Sequence, residues 1–467
     1  MEEASKLKPI KKKGLQASPI TIIAISFLLL ILLGTLLLYM PFTHNEGMSI
    51  SFLDALFTST SATCVTGLVP IAEGVAATFN LAGRIILAIL IQLGGLGATT
   101  IAVFIFVITS RKLSFSRLSL IKETWNLSSF NKLKLVFVKI LLIAFVSELI
   151  GAVCFFLIFY FKYGYELLPS IGYATFHSIS AFNNAGFDIF GTTSLINFRS
   201  DYLFIFLTSL LIIVGGLGYI VIMNVIENKF RFRKFSLHSK VVLTYTLFFI
   251  VVGTLFIFVD EIGNGTINLF DSYFMSVSTR TAGFTIYDLS KFRNVTIFVM
   301  VILMFVGASP GGTGGGVKTT TIALFFLYIK SLINNKKPHA FKRSISSSLI
   351  RRALLIILLG LTFFIIGVTL ISLFEQNFNF IKDGIKYKDY VEGASSFTSI
   401  DYIFETMSAF GTTGLSTGYT PYFSIGSKIV LTILMFVGRL GPLSISTLFK
   451  VNVVETDHFP EENMPIG

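Results

Sequence analysis

The stretch SAFGTTGLS, residues 408–416, has three counterparts elsewhere in this 467-residue chain. They are SATCVTGLV at 61–69, SAFNNAGFD at 180–188 and VSTRTAGFT at 277–285. The seventh residue of each stretch is a glycine, namely Gly67, Gly186, Gly283 and Gly414. These glycines are 119, 97 and 131 residues apart, so each stretch belongs to a unit of comparable length. An internal repeat of this kind decides the architecture before any single motif does.

The sequence around each stretch repeats as well. A short apolar segment precedes each one, at 51–62, 171–181, 269–278 and 397–409, and a glycine cluster follows at 94–97, 215–218, 307–312 and 438–441. The short segments cannot cross a bilayer, which takes about 20 helical residues, but they fit half-helices that enter and stop. Each unit is therefore predicted to be a long helix, a short re-entrant helix, a glycine-bearing loop and a second long helix.

The composition excludes an ordinary soluble protein. Hydrophobic residues make up 53% of the chain and charged residues only 13%, whereas a soluble domain carries about a quarter charged residues. Runs without any charge cover 20–40, 85–110, 202–226, 241–259 and 353–374. The first run is not a secretory signal, because its apolar core is too long and no small-residue cleavage site follows. We predict an all-α polytopic membrane protein in which four pseudo-repeats, with eight spans, surround one central pore.

The distribution of charge predicts the orientation. Of 37 basic residues, 25 fall on one side of an even number of helices and nine on the other, and Arg280, Lys318 and Arg439 lie at membrane depth. The positive-inside rule then places both termini in the cytoplasm; binding of acidic lipid or a partner by a basic stretch is the alternative. The predicted cytoplasmic segments are 1–19, 111–135, 227–240, 331–352 and 451–467, and the repeats cover 20–110, 136–226, 241–330 and 353–450.

The four loops suit a monovalent cation. A filter must present oxygens without holding the ion too tightly, and backbone carbonyls do so where glycine permits the required angles. The four predicted walls are Thr63, Cys64, Val65, Thr66 and Gly67; Phe182, Asn183, Asn184, Ala185 and Gly186; Thr279, Arg280, Thr281, Ala282 and Gly283; and Phe410, Gly411, Thr412, Thr413 and Gly414. None of them is a carboxylate, which argues against a divalent-cation site. Arg280 is expected to point away from the ion path, towards a carboxylate or carbonyls. The alternative is that the glycines only let helices pack closely.

The third repeat contains a broken helix. The stretch GASPGGTGGGVK at 307–318 is too rich in glycine and proline for a membrane helix, and a broken helix at membrane depth marks an ion pathway. The same letters nearly spell a phosphate-binding loop. That pattern requires lysine directly after the final glycine, but Val317 intervenes.

At this point the chain resembles the Trk/Ktr/HKT superfamily of potassium transporters, and within it the KtrB-type pore subunits. The stretches TCVTGL, SAFNNAGF, STRTAGF and SAFGTTGL are similar to that family's four filter signatures, and the resemblance runs from about residue 18 to the C-terminus with no additional helix pair ahead. The departures are Cys64 in the first loop and Thr412-Thr413 in the fourth, which bear on fine selectivity. Relatives that prefer sodium tend to carry serine at the first glycine, where this chain has Gly67.

The resemblance implies a homodimer in the cell membrane with one pore per protomer, and potassium held as substrate at backbone carbonyls. It implies no covalently bound cofactor and a KtrA-type cytosolic ring that carries the nucleotide. It also implies a gate, formed by Gly311, Gly312, Thr313, Gly314, Gly315, Gly316, Lys318 and Arg439.

Several alternatives stay open. Arg439 could instead form a structural pair with carbonyls or with Glu148, and Lys318 could simply reach the cytoplasmic surface. A sodium-preferring or poorly selective cation transporter of the same superfamily is the alternative function. A membrane enzyme is disfavoured because the five histidines are scattered and cluster with no cysteine or carboxylate set. A receptor is disfavoured because the predicted cytoplasmic loops are too short for a soluble sensor domain.

Overall fold

Helices account for nearly all of the regular structure that is described. The computed structural model describes residues 19–97, 133–265, 267–376, 381–382, 385–386 and 398–442. The predicted cytoplasmic segment 451–467, nearly all of 1–19 and 111–135, and the end of the first repeat lie outside these residues.

The helices of the first two units are α1 (Pro19–Tyr39), α2 (Phe52–Thr63), α3 (Gly74–Thr78), α4 (Leu81–Leu96), α5 (Leu133–Leu157), α6 (Leu167–Phe182), α7 (Tyr202–Leu217) and α8 (Tyr219–Glu227). Those of the last two are α9 (Leu237–Glu261), α10 (Leu269–Ser278), α11 (Asn294–Phe305), α12 (Thr319–Ile333), α13 (Ser347–Gln376), α14 (Ser399–Gly411) and α15 (Ile425–Leu440). Two antiparallel hairpins pair β1 (His339–Ala340) with β2 (Arg343–Ser344) and β3 (Ile381–Lys382) with β4 (Ile385–Lys386).

Three described helical segments are long and apolar enough to cross a membrane. They cover Val138–Lys162, Leu237–Glu261 and Ser347–Glu375, and the bent pair α7–α8 is a fourth candidate. Helices α4, α11 and α12 and the Ile23–Tyr39 part of α1 are apolar but shorter. The chain is therefore a predominantly helical, multi-pass membrane protein, while the predicted number of eight spans stays a prediction.

Within each unit, the first long helix packs on the short helix: α1 on α2, α5 on α6, α9 on α10 and α13 on α14. In three units a serine of the short helix donates a hydrogen bond to a carbonyl of the long one. The pairs are Ser59 with Ile31 at 2.7 Å, Ser178 with Glu148 at 2.6 Å and Ser276 with Ile250 at 2.9 Å. The residue three positions after each acceptor is a glycine, namely Gly34, Gly151 or Gly253. A side chain at any of these positions would overlap the serine oxygen.

Between units, the second long helix packs on the short helix of the next unit. The contacts run α4 on α6, α7 on α10, α11 on α14 and α15 on α2, which closes a ring. Ion pairs support two of these joints from the ends of the short helices. Arg199 bonds Asp271 at 2.6 Å and Lys428 bonds Asp54 at 2.8 Å. The ring directs the C-terminal ends of all four short helices to one place.

The second long helices also end alike. Helices α4, α7 and α15 all stop at a glycine with φ between 82° and 89° and ψ between 139° and 154°, namely Gly97, Gly218 and Gly441. This backbone region is essentially open to glycine alone. At Gly218 the chain turns by 96° into α8, so the uncharged run 202–226, which is long enough to cross a bilayer, is bent.

Candidate functional site

The four repeated glycines lie in a ring at the centre of the structure. A methyl group placed on any of them would come within 2.8 Å of the carbonyl oxygen that precedes the glycine of the next loop. The pairs are Gly67 with Ala185, Gly186 with Ala282, Gly283 with Thr413 and Gly414 with Thr66. Each glycine also has positive φ, from 69° to 101°. Space and backbone conformation thus both require glycine here.

The loops share a second backbone feature that the sequence did not signal. The residue two before each glycine has positive φ, between 50° and 70°, although none is a glycine: Val65, Asn184, Thr281 and Thr412. Three of these are β-branched, for which positive φ is unusual and costs about 1–3 kcal/mol. A cost of this kind repeated at four matching positions marks a place where backbone conformation serves function.

A serine sets the start of each loop. The Ser61 and Ser408 hydroxyls each accept a hydrogen bond, at 3.0 Å, from the amide of their own loop's glycine, Gly67 or Gly414. The Ser180 and Ser278 hydroxyls donate instead to the carbonyl after the glycine, at 2.6 and 2.5 Å. When the four stretches are aligned by sequence, Ser61 is matched with Val277. In the structure, its counterpart in the third unit is Ser278. The third loop is one residue shorter than the other three.

Outside the ring lies a cavity of about 250 Å³ lined by all four glycines. We call it the vestibule. Asp188, two residues after Gly186, is the one carboxylate among the described residues that line it. Its carboxylate accepts a hydrogen bond from the Phe190 amide at 3.2 Å. The mouth of the ring thus combines neutral main-chain groups with a single acid.

Directly against the other side of the ring lies the segment between α11 and α12, residues 306–318, which we call the intramembrane segment. Its two ends are joined by a parallel bridge between Val306 and Val317. The Thr313 hydroxyl bonds the Phe182 carbonyl and the Asn184 side chain, both at 3.2 Å, and the Gly315 amide donates to the Thr412 hydroxyl at 2.9 Å.

Glycine is required in this segment by the loops themselves. A side chain on Gly314 would overlap the Thr281 hydroxyl. The segment therefore touches three of the four loops through their residues with positive φ.

Arg439 joins this segment to the first unit. Its guanidinium donates to the carbonyl oxygens of Thr313 and Gly94, and more weakly to that of Gly95 at 3.4 Å. The predicted alternative partner, Glu148, instead accepts from the Asn183 side chain at 2.9 Å. Arg439 therefore bonds carbonyls of both the intramembrane segment and the first unit, and Glu148 is not among its hydrogen-bond partners in the described residues.

The other two cations at membrane depth behave differently. The Arg280 guanidinium is buried and donates to the Thr319 hydroxyl at 3.0 Å and to the Thr246 carbonyl at 3.4 Å. The ammonium of Lys318 is half-buried and bonds back to the segment itself, at the Gly314 carbonyl at 2.7 Å.

The residues predicted for the filter all lie together. Each of the twenty is buried within the four loops or the helix ends that lead into them. Of the predicted gate, Thr313, Gly314, Gly315 and Gly316 are buried against the ring, whereas Gly311 is exposed at the far turn. The hydrogen bonds of the Ser59, Ser178 and Ser276 hydroxyls to long-helix carbonyls were not predicted, although a serine at matching places in three short helices was a readable signal.

The arrangement is chemically simple. It brings carbonyl oxygens and hydroxyls to one axis, and none of the twenty residues predicted for the filter is a carboxylate. Neutral oxygens of this kind replace the hydration shell of a monovalent cation without trapping it.

Comparisons with known proteins identify the family. The sequence profile of the TrkH family, described as cation transport protein, matches residues 8–459. The chain is 34% identical to the potassium/sodium uptake protein NtpJ of Enterococcus hirae, over 98% of this chain and 99% of that protein. It is 33% identical to the Ktr system potassium uptake protein B of Bacillus subtilis, over 97% and 98%. The crystal structure of the potassium transporter TrkH from Vibrio parahaemolyticus superposes with a TM-score of 0.66 at 17% identity, covering 94% of this chain and 86% of that one. Because the profile spans nearly the whole chain and full-length relatives exceed 30% identity, this chain belongs to the TrkH family of cation transport proteins.

Proposed function

We propose that the chain takes up potassium ions across the cell membrane through a filter formed by its four glycine-bearing loops. The observation that carries the proposal is the ring of Gly67, Gly186, Gly283 and Gly414, each beside a carbonyl of the adjacent loop. Four loops with the same pattern of positive φ support a common origin in four repeats. A helix C-terminus leads into each loop and adds negative potential without a fixed charge.

The relatives support potassium as the cargo. Three of the similar proteins are named for potassium uptake, and a fourth is named for potassium and sodium together. Gly67 is the position at which sodium-preferring members of the superfamily tend to carry serine, so its presence favours potassium. Transport by a pore, rather than an enzymatic reaction, is the activity that these neutral oxygens support.

We further propose that the intramembrane segment is the gate. It lies across the inner side of the ring and is held there by side chains of the loops and by Arg439. Conduction along the axis would require the segment to move aside. Because Arg439 and Lys318 also place positive charge below the ring, the closed arrangement would repel a cation.

The architecture proposed for the membrane is eight spans with both termini in the cytoplasm. The basic residues of 229–240 and 330–352 support this orientation. We also propose a homodimer regulated by a KtrA-type cytosolic ring that binds nucleotide. The word "system" in the names of the Ktr relatives supports a partner of this kind.

The test of the proposed function is uptake of radioactive rubidium into proteoliposomes that contain the purified chain, competed separately by potassium and sodium. We expect potassium to compete strongly and sodium weakly. Equal competition would contradict potassium selectivity and favour a sodium-tolerant transporter. If there is no uptake, the same measurement on a variant lacking residues 311–316 separates a closed gate, which the deletion opens, from a wrong assignment, which it leaves silent.

A further inference from the structure

Helix α9 carries an apolar groove on the flank that faces away from the ring. The groove measures about 530 Å³, within the roughly 300–1,000 Å³ of small-molecule sites. Two neighbouring stripes of α9, each with a four-residue spacing, form its floor: Leu243, Leu247 and Val251, and Thr244, Phe248 and Val252. Leu247 is 63% exposed, so this surface is open in the single chain.

The groove is closed at one end by an aromatic pair from outside α9. Phe232, in the turn that precedes α9, lines the groove, and its ring lies 6.0 Å from that of Phe341 at the tip of the β1–β2 hairpin. Both rings are partly exposed. The groove therefore begins where the connecting segments of the chain meet the apolar span.

A cation lies at the same end. Lys240 precedes Thr244 by one helical turn on the same stripe, and its ammonium lies 5.8 Å from the Phe232 ring centre and 5.9 Å from that of Phe341. It donates to the Arg233 carbonyl at 3.0 Å. None of the ion pairs within the described residues includes Lys240.

The surroundings are strongly basic. Residues 229–240 contain five Lys or Arg and residues 330–352 contain seven, while neither segment contains an Asp or Glu. The groove is apolar, lies at membrane depth and ends at a cation within a basic surface. These features suit a lipid whose acyl chain lies in the groove and whose anionic head group contacts the Lys240 ammonium.

We propose that this groove binds an anionic glycerophospholipid of the cytoplasmic leaflet. A soluble acidic protein would meet the basic segments but would leave the groove empty, and a neutral lipid would fill the groove without using Lys240. The leaflet rests on the orientation given under Proposed function. The binding site itself does not.

The experiment is native mass spectrometry of the full chain, released from detergent after incubation with phosphatidylglycerol or phosphatidylcholine. We expect phosphatidylglycerol to be retained preferentially. Lys240→Gln should lower its retention about fivefold, the factor that corresponds to the roughly 1 kcal/mol of one lysine near an anionic surface. The control is Lys336→Gln, which changes an exposed lysine of the basic segment 330–352 that does not line the groove and should change retention little.

A second pair of variants tests the groove independently of charge. Leu247→Trp should fill the groove and abolish retention of the bound lipid, whereas Leu255→Trp, on the same helix and also exposed, should not. Equal effects of the two lysine variants, or full retention by Leu247→Trp, would overturn the proposal.

A third outcome would also overturn it. Disulfide cross-linking of two chains through Leu247→Cys would assign the groove to a second copy. Failure of potassium selectivity in the uptake assay would leave all these binding results intact, so the two proposals fail separately.

Discussion

The amide of Gly315 donates a hydrogen bond of 2.9 Å to the hydroxyl of Thr412. The contact joins the intramembrane segment to a residue of the fourth loop that lies only two positions before the ring glycine. The segment is thus bonded to the ring and does not merely pass beneath it. Any movement of the segment has to break this bond. Under the gating role proposed for the segment, the strength of this contact sets how often the path is open.

Thr412→Val should therefore raise basal rubidium flux. Valine keeps the shape and the β-branch of threonine but leaves the Gly315 amide without its acceptor, which costs about 1–3 kcal/mol in the closed arrangement. We expect a severalfold rise in flux in proteoliposomes with the preference for potassium retained. Thr369→Val is the control, because Thr369 lies on α13, outside the four loops, and its hydroxyl donates to the Ile365 carbonyl of its own helix at 2.9 Å. A similar rise in both variants would refute the role of the bond.

Gly67→Ser should lower the preference for potassium over sodium at least tenfold, a change of about 1.4 kcal/mol. The added Cβ would lie 2.6 Å from the Ala185 carbonyl oxygen, at a position where φ is 101°. The ring must then widen or shift its oxygens. The measurement is competition of rubidium uptake by each ion. Gly172→Ser provides the control, since nothing lies within 4 Å of the added Cβ and its φ is ordinary; unchanged selectivity of Gly67→Ser would remove Gly67 from the filter.

The loops could be predicted from the sequence because two factors, the lack of space and the positive φ, each require glycine at the same four positions. The same residue therefore recurs in all four repeats, where it can be recognised. The sequence also predicted the broken helix at 307–318, where glycine and proline are too dense to ignore. By contrast, the positive φ of Val65 and Thr281 left no signal, because β-branched residues disfavour that conformation. Only the surrounding contacts hold them in it.

The ring order could not be read from the sequence either. The packing of α15 on α2, which closes the ring, joins the two ends of the chain, and nothing local to either helix indicates it. The breaks at Gly97, Gly218 and Gly441 are a different case. The repeated leucine–glycine pairs were visible, but a glycine that lets helices approach and a glycine that ends a helix look alike in a sequence.

Glu148 should prove important as an acceptor rather than as a charge. Its carboxylate and the Gln92 side chain both accept from the Asn183 amide, at 2.9 and 3.1 Å, and so connect the second loop to helices of two units. Glu148→Gln keeps an oxygen in place and should cost little. Glu148→Leu leaves the amide partly unsatisfied and should destabilise the protein by about 1–3 kcal/mol, with lower uptake. Thermal unfolding of the two purified variants checks this, and equal losses would indicate that the negative charge matters.

Asp188 should make cation capture depend on the pH on the vestibule side of the membrane. Burial raises the pKa of this carboxyl to about 6. Hydrogen bonds from the Phe190 amide and the Ser194 side chain lower the pKa, but their effect is smaller than that of burial. The group is therefore charged above about pH 6 and neutral below it, so its attraction for cations at the vestibule is present at high pH and lost as the pH falls. One unit charge at about 4 Å in water contributes roughly 1 kcal/mol, so the half-saturating rubidium concentration should rise about fivefold on acidification.

Asp188→Asn should remove that dependence. At every pH its half-saturating rubidium concentration should equal the high value that the unmodified protein shows at acidic pH. Asp288→Asn is the matched control, because Asp288 carries the same charge in the connection between α10 and α11 but does not line the vestibule. The profile of Asp288→Asn should follow the unmodified protein. A pH dependence that persists in Asp188→Asn would assign the titration to another group, and a flat profile in the unmodified protein would show that the vestibule charge does not assist capture.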